Sequence, residues 1–285
     1  MGIAIARRRL VGYRAAVRLG WAVSSNWTRP VLFVIYSVLR PVSMALILAV
    51  MYAVITKNAA SARPYLAFLI IGTAFWSFIQ EGVSEFATGI VEDRGRYHIL
   101  KYAYIAPLGF PVFLLGRATS KLASAAASVV IVLVMGSLAL HIDIDPLQIN
   151  YPLLVVGCLL AFVSIVAFAI TLSISLLAGR DTHGYGEIMA QFLYLFSGAI
   201  FPIAVLPGPI AWLASLSPLP YWLELCRRAI LHGRVYEMFP GLSDGDVLLR
   251  LVAATAGTVL LAVIVYRFVD RRARMMGYID MEANW

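Results

Sequence analysis

Six long apolar segments run through the sequence, and they limit the fold more than any other feature. Each is close to the roughly 20 residues that an α-helix needs to cross a bilayer. They cover about 31–55, 65–87, 112–140, 152–178, 187–205 and 247–269. Because 61% of the residues are hydrophobic and 13% charged, against about 25% charged in soluble domains, the chain is predicted to be an integral membrane protein. We expect an all-α, polytopic fold with six transmembrane helices, since lipid forces backbone groups to bond internally.

The first 29 residues are predicted to form an amphipathic helix lying at the membrane interface. At 100° per residue, the arginines collect on one face and the larger apolar residues on another. The basic face has Arg7, Arg14 and Arg18, and the apolar face has Leu10, Tyr13, Val17 and Trp21. A solvated basic tail is the alternative interpretation.

Lysine and arginine are unevenly distributed between the predicted loops. The N-terminal helix, the loop after the second span and the C-terminal tail are rich in them, whereas the loop near 141–151 has none. Under the positive-inside rule both termini are therefore cytoplasmic, and the net charge of +8 reports topology rather than nucleic-acid binding. Four arginines on or near the predicted outer side do not fit this pattern: Arg227, Arg228, Arg234 and Arg250.

Prolines interrupt the apolar stretch that follows the fifth span. Proline removes a backbone donor and clashes with the preceding helical turn, so one straight helix through this stretch is excluded. We expect Pro202 to end the span, Pro207 to open a sharp turn, and Pro218 to separate short helices over 210–216 and 221–232, with Tyr221 opening the second. The region 202–245 is thus predicted to be a hairpin re-entering the outer leaflet. An ordinary extracellular loop is the alternative.

A few charged, polar and aromatic residues inside the apolar segments are candidates for a transport pathway. A charge at the middle of a bilayer costs about 2.5–3.5 kcal/mol, so such residues usually face protein or a water-filled cavity. The candidates are Arg40, Glu81, Glu85, Gln191, Tyr194 and Phe196. Snorkelling of Arg40 and an ordinary interfacial belt of aromatic residues are the structural alternatives.

Motifs for catalysis or metal binding are weak. Cys158 and Cys226 make neither a disulfide framework nor a metal motif, and no nucleophilic triad or HExxH occurs. The pair Asp143 and Asp145 lies two residues apart in a loop, which is compatible with a shared cation but is far commoner as plain loop chemistry. We therefore predict no catalytic residue and no metal site.

Two stretches resemble the ABC-2 type transporter permeases. "SGAIFPIAVLPGPIAWLASLSPLPYWLELCRRAILHG" has the family's Ser-Gly, Phe-Pro, Leu-Pro and Ser-Pro-Leu elements, followed by an Arg before a Gly. "GIVEDRGRYHILKYAYIAPLGFPVFLLGR" is similar to the family's cytoplasmic turn between spans two and three. The resemblance covers essentially the whole chain, which is then a single ABC-2 type transmembrane domain over 1–285.

The resemblance implies half of the membrane part of an ABC exporter. Two cytoplasmic ATPase subunits would dock on the turn at 88–107, and a second permease copy would complete the pathway among membrane lipids. The residues implied in coupling are Glu92, Asp93, Arg94, Gly95, Arg96, Tyr97 and His98. This chain has no GxxxxGK[ST] motif, so ATP and Mg²⁺ are expected on the partner ATPase and no cofactor on this chain.

The expected function is outward movement of a lipid, a lipid-linked glycan or polysaccharide, or a hydrophobic drug. The excess of Arg over Lys, with abundant Ala and Val, indicates a GC-rich bacterial genome and hence the bacterial inner membrane. A polytopic enzyme acting on lipid-linked substrates through Asp143 and Asp145, and a stand-alone channel, are the alternatives. The sequence leaves the cargo, and the identity of the second permease, open.

Overall fold

The computed structural model describes residues 2–25, 30–56, 63–85, 110–142, 144–177, 185–231 and 236–276. The α-helices in these ranges are α1 (Gly2–Ser25), α2 (Pro30–Thr56), α3 (Arg63–Ile79), α4 (Phe110–Leu140), α5 (Tyr151–Leu177), α6 (Tyr185–Phe196), α7 (Gly208–Leu216), α8 (Leu219–Leu231) and α9 (Asp244–Met276). No strand occurs in them, and the all-α prediction is confirmed.

Helix α3 forms the centre of the bundle. Large side chains on all sides of it are buried, among them Phe68, Ile71 and Trp76. It contacts α2, α4, α6 and α8. A helix that is apolar all round must be enclosed by other elements, and α3 meets that condition through its four neighbours.

Helices other than α3 also carry segments that are long and apolar enough to cross a bilayer. Together with α3, four such segments lie in the described residues: Pro64–Val83, Ala118–Leu140, Tyr151–Leu172 and Asp244–Val269. A shorter apolar helix covers Pro41–Ile55 within α2. The chain is therefore a multi-pass membrane protein, while the six-span topology stays a prediction.

The fifth predicted span ends earlier than expected. We predicted that it would continue to Pro202, but α6 is only 12 residues long and ends at Phe196. Gly198 follows with a φ of 70°, a left-handed conformation that reverses the chain and that glycine adopts without steric cost. A turn of 3₁₀-helix at Ile203–Val205 then leads towards α7.

The helix type changes directly after the C-terminal end of α3. Residues Gln80–Glu85 continue α3 as a π-helix, a form that is rare and is frequently found at functional sites. This turn contacts α5 and α6, and a Cβ placed on Gly82 would collide with the Ile165 side chain of α5. Both candidate carboxylates of the second span, Glu81 and Glu85, belong to the π-helical turn.

Helix α1 lies against the first half of α4. The Tyr13 and Thr119 hydroxyls are hydrogen-bonded at 2.7 Å, and the backbone at Gly116 approaches Ala16 too closely to leave room for a Cβ. The predicted N-terminal helix is thus confirmed as a helix. Its place at a membrane interface remains a prediction.

Candidate functional site

The proline-rich stretch forms two consecutive short helices, α7 and α8. Pro207 caps α7 and a proline occupies its first turn, where its missing N–H costs nothing. Ser217 ends α7, and α8 begins two residues later. The Tyr221 hydroxyl ties the pair together by donating to the Ser215 carbonyl at 2.8 Å. The predicted helices over 210–216 and 221–232 are confirmed, each with its start two residues earlier.

The two helices of this pair, which we call the hairpin, have opposite environments. Every residue of α8 except Arg228 is buried. Helix α7 instead exposes large apolar side chains, with Trp212 65% and Leu216 55% exposed. The burial of α8 shows that this part of the hairpin packs against the protein, and the choice between a re-entrant hairpin and an extracellular loop stays a prediction. Entry of the hairpin into lipid is not tested by these contacts.

Arg227 is the most unusual residue of the hairpin, because its large charged side chain is 0% exposed. Its Nε donates to the Phe68 carbonyl at 3.3 Å. Its Nη2 donates to the carbonyls of Gly198 at 2.8 Å and Ala199 at 3.1 Å. The guanidinium carbon also lies 3.5 Å from the centroid of the Phe68 ring, a cation–π contact. One side chain therefore joins α8 to α3 and to the turn that follows α6.

The partners of Arg227 explain two glycines. At Gly72 an added Cβ would collide with the Ala199 carbonyl oxygen and with the Arg227 guanidinium. At Gly198 the left-handed φ aims a carbonyl at Arg227 and a Cβ would press on the end of the Met238 side chain. Glycine at both positions lets the backbones of α3, α8 and the turn after α6 meet around the Arg227 guanidinium.

Arg228, the neighbouring arginine, holds the other side of α8. It pairs with the buried Glu224 one turn earlier, Nε to Oε1 at 3.0 Å, and with Asp244 at the start of α9 at 3.1 Å. Its remaining donors reach the carbonyls of Leu242 and Phe239 at 2.7 and 3.0 Å. Glu224 in turn accepts from the Met238 N–H at 3.3 Å. This network fixes the segment 237–244 and the start of α9 on the hairpin.

From the sequence, both arginines are exceptions to the charge rule, and Arg228 is also the arginine of the family motif, but the structural role of neither was predicted. Their guanidinium groups bond inside the protein, so neither one counts as a free loop charge. The signal that was available is the apolar periodicity of 219–231, which leaves Arg227 on a face where a solvated charge is implausible.

The pathway candidates whose side chains are described differ in burial. Tyr194 of α6 is buried, with its ring centroid 4.3 Å from that of Trp76, whereas Gln191 is exposed. Phe196 is half-buried and stacks on Phe192 at 6.4 Å. Glu81 is half-buried in the π-helical turn.

Other predicted residues fall outside what the structure describes. Arg40 lies in α2 and Glu85 ends the π-helical turn, but their side chains are not among those described. The coupling candidates at 92–98 and the whole segment 88–107 lie outside the described residues, as does Asp143.

The acidic loop before α5 has a local structural role. One carboxylate oxygen of Asp145 accepts from the Leu147 N–H at 3.0 Å, and the other accepts from the Gln148 amide at 2.8 Å. These bonds close the turn at 146–148 that leads to α5. Within the described part of the chain, no group of three or more His, Cys, Asp or Glu is placed to hold a metal ion.

Comparison with protein families identifies the family of the chain. The family model described as ABC-2 type transporter matches residues 19–231, from the second half of α1 to the end of α8. No curated protein matches the chain. Because the match covers well over half of the sequence, the chain belongs to the ABC-2 type transporter family and is the membrane-spanning permease component of an ABC transporter.

Proposed function

We propose that this permease exports a lipid, a lipid-linked glycan or polysaccharide, or a hydrophobic drug from the cytoplasmic side. The observation that carries the proposal is the family match over 19–231, which includes both the hairpin and the segment between α3 and α4. The apolar surface of α7 supports it, because a transporter of amphiphiles needs elements in contact with lipid where cargo leaves the protein.

The proposed assembly contains two copies of this permease and two cytoplasmic ATPase subunits. ATP and Mg²⁺ belong to the ATPase, since a P-loop motif is absent from the sequence of this chain. The seven residues at 92–98 form the turn of this chain that docks onto the ATPase, which we call the docking turn. Their mixed charges favour a surface contact of complementary charge with the partner.

Helix α3 is the mechanical connection between that turn and the hairpin. The π-helical turn at Gln80–Glu85 lies at one end of it, directly before the proposed docking segment. Phe68, whose carbonyl accepts from Arg227, lies 17 residues before Glu85, which is about 26 Å along a helix. A displacement of the docking turn is therefore transmitted along α3 to α8, with the π-helical turn as the place where the helix can adjust.

The proposed topology has six spans, both termini in the cytoplasm of a bacterial cell, and the hairpin in the outer leaflet. Engagement of Arg227 and Arg228 inside the protein supports this orientation, because it removes two of the four charges that opposed it. All three named regions, 1–29, 88–107 and 202–245, belong to one transmembrane domain over 1–285.

The transport pathway is assigned to polar and aromatic groups of three spans. It runs past Arg40, Glu81, Glu85, Gln191, Tyr194 and Phe196, with the hairpin residues Pro202, Pro207, Pro218 and Tyr221 shaping its outer end. The contact between Tyr194 and Trp76 supports a path beside α3 and α6. The enzyme alternative has no comparable support, because both carboxylate oxygens of Asp145 are engaged in closing a turn.

Site-specific photo-crosslinking tests the docking proposal. A photoreactive amino acid replaces Tyr97 in the docking turn, and in a control variant it replaces Leu147, which is 94% exposed in the loop before α5. We expect the Tyr97 variant, illuminated in intact membranes, to form an adduct with a protein that mass spectrometry identifies as an ATP-binding cassette subunit. The Leu147 variant should form none.

Two outcomes of the crosslinking contradict the proposal. An adduct with the ATPase from Leu147 would place that loop in the cytoplasm and reverse the topology. Absence of an ATPase adduct from Tyr97, and equally from its neighbours Arg96 and His98, would remove the docking turn.

A further inference from the structure

A long groove runs along the first half of α9, and its occupant is not explained by the proposed function. We call it the outer groove. It has a volume of about 730 Å³ and lies between α6, the hairpin and α9, with Phe196, Leu213, Leu216, Arg250, Gly257 and Leu261 among its lining residues. We propose that the outer groove binds one anionic phospholipid of the bilayer, with an acyl chain along α9 and the phosphate at Arg250.

The length of the groove fits one leaflet. Arg250 and Leu261 are 11 residues apart on α9, which corresponds to about 16 Å of helix. The hydrocarbon core of a bilayer is about 30 Å thick, so this distance is close to half of it. A groove of that length, starting near the N-terminal end of a spanning helix, accepts a lipid from the leaflet at that end.

The lining of the groove is amphipathic in the same sense as a phospholipid. Most of its lining is apolar and includes small residues of α9, among them Ala254 and Gly257. Arg250, the one charged residue in the lining, is exposed and is the lining residue of α9 nearest the start of that helix, and Ser215 and Ser217 also line the groove. Arginine binds phosphate oxygens with paired N–H donors. A zwitterionic headgroup offers the same phosphate but adds a quaternary ammonium that Arg250 repels, so a lipid with net negative charge is favoured.

The nearest acidic residue on the same helix face is occupied elsewhere. Asp246, one turn before Arg250, accepts hydrogen bonds from the Ser243 hydroxyl at 2.7 Å and from the Ser243 N–H at 3.1 Å, an arrangement that caps α9. Asp246 is thus held at the helix start. Asp246 still interacts electrostatically with Arg250, but the exposed guanidinium of Arg250 is the one charged group in the groove lining.

Gly257 allows the groove to be filled without disturbing the fold. A Cβ added there meets no atom within 4 Å, so a larger side chain projects into open space. Leucine is also a better helix former than glycine by roughly 0.8 kcal/mol, which favours folding of a Gly257→Leu variant. Ala256, exposed on the same helix and outside the groove lining, provides the matched control Ala256→Leu.

Lipid titration followed by native mass spectrometry of the full-length chain tests the proposal. The probes are phosphatidylglycerol and phosphatidylcholine with identical palmitoyl and oleoyl chains. We expect the wild type to bind one phosphatidylglycerol about tenfold more tightly than phosphatidylcholine, because both lipids carry the phosphate and only phosphatidylcholine adds a cation that Arg250 repels. Arg250→Gln should reduce binding of phosphatidylglycerol to the level of phosphatidylcholine, Arg250→Lys should restore part of the preference, and Gly257→Leu should abolish tight binding of both.

A double-mutant cycle makes the result specific to the groove. Because Arg250 and Gly257 line the same site, Arg250→Gln should have no further effect in the Gly257→Leu background. Arg271→Gln is a control at the other end of α9 and should change lipid binding by the same factor in both backgrounds. Ala256→Leu should leave lipid binding unchanged. Equal affinity of the wild type for the two lipids would overturn the proposal. A reduction of phosphatidylglycerol binding by Arg250→Gln that persists in the Gly257→Leu background would also overturn it. So would a Gly257→Leu variant that dissociates a dimer of the chain without changing lipid binding.

Discussion

At the scale of single residues, the position of the hairpin depends most on Arg227. Its guanidinium makes three hydrogen bonds with backbone carbonyls of α3 and of the turn after α6, all shielded from water. Hydrogen bonds to charged groups contribute about 1.5–3 kcal/mol each, and burial removes competition from solvent. Arg227 is thus a structural charge, unlike the solvated arginines near the C-terminal end of α9.

We predict that Arg227→Gln lowers the free energy of unfolding by about 3 kcal/mol, since at least one carbonyl loses its donor in a site closed to water. Arg271→Gln, which removes the same charge from an exposed position, should change it by less than about 0.5 kcal/mol. The measurement is thermal unfolding of both variants in the same detergent. Equal melting temperatures for the two variants would show that Arg227 does not hold the hairpin.

Gly72 belongs to the same contact and gives an independent prediction. An added Cβ at this position collides with a backbone carbonyl and with Arg227, neither of which can move freely. Gly72→Ala should therefore destabilise the protein by about 1–3 kcal/mol, as expected for overpacking. Gly157→Ala is the control, because its Cβ would make only ordinary contacts with Trp222 and Leu225. If both substitutions gave the same melting temperature in detergent, the close approach of α3 to the turn at 198–199 would be excluded.

The role of Arg227 was beyond prediction from sequence for a physical reason. Its partners Phe68 and Gly198 lie 159 and 29 residues away along the chain. Periodicity and local propensity describe neighbours within a few residues, so they place Arg227 on a buried face but do not supply its acceptors. The same limit applies to Gly72, which locally is one more small residue in an apolar helix.

At the scale of elements, proline positions predicted the hairpin well and the preceding helix less well. Steric exclusion by Pro207 and Pro218 is local, and the two short helices begin and end within two residues of the expected positions. Helix α6 ends six residues before Pro202 because Gly198 reverses the chain first. Glycine permits a left-handed turn without requiring one, so the earlier end was not visible in the sequence.

Gly198→Ala tests the turn that ends α6. A left-handed conformation costs a residue with a Cβ about 1–2 kcal/mol, and the new methyl group would also press on Met238. We expect the free energy of unfolding of Gly198→Ala to fall by about that amount. The measurement is the melting temperature of the variant in detergent. Gly208→Ala, whose Cβ would meet no atom within 4 Å, should be neutral or slightly stabilising. A neutral result for Gly198→Ala would contradict the assigned turn.

The π-helical turn at Gln80–Glu85 is a second element that the sequence did not reveal. Glu81 and Glu85 belong to an apolar segment that we predicted as a regular span, but the backbone that carries them is wound as a π-helix. The turn contacts α5 and α6, including the close approach of Gly82 to Ile165. Such long-range contacts are not visible in the local sequence of the turn.

At the scale of the whole molecule, composition and charge predicted the class of protein, because the bilayer imposes helix length and hydrogen bonding on every span. The family resemblance predicted the permease identity, which the match over 19–231 confirms. The connection of the hairpin to α3 and to the start of α9 emerges only from the contacts of Arg227 and Arg228.

The central claim is that this chain is the permease half of an exporter driven by a separate ATPase. Native mass spectrometry of the chain, extracted from its native membrane in mild detergent with lipids retained, tests it most directly. We expect a complex of two permeases with two ATP-binding subunits. Repeated isolation of the chain without any ATP-binding subunit, from preparations that keep the bound lipids and the folded state, would contradict it.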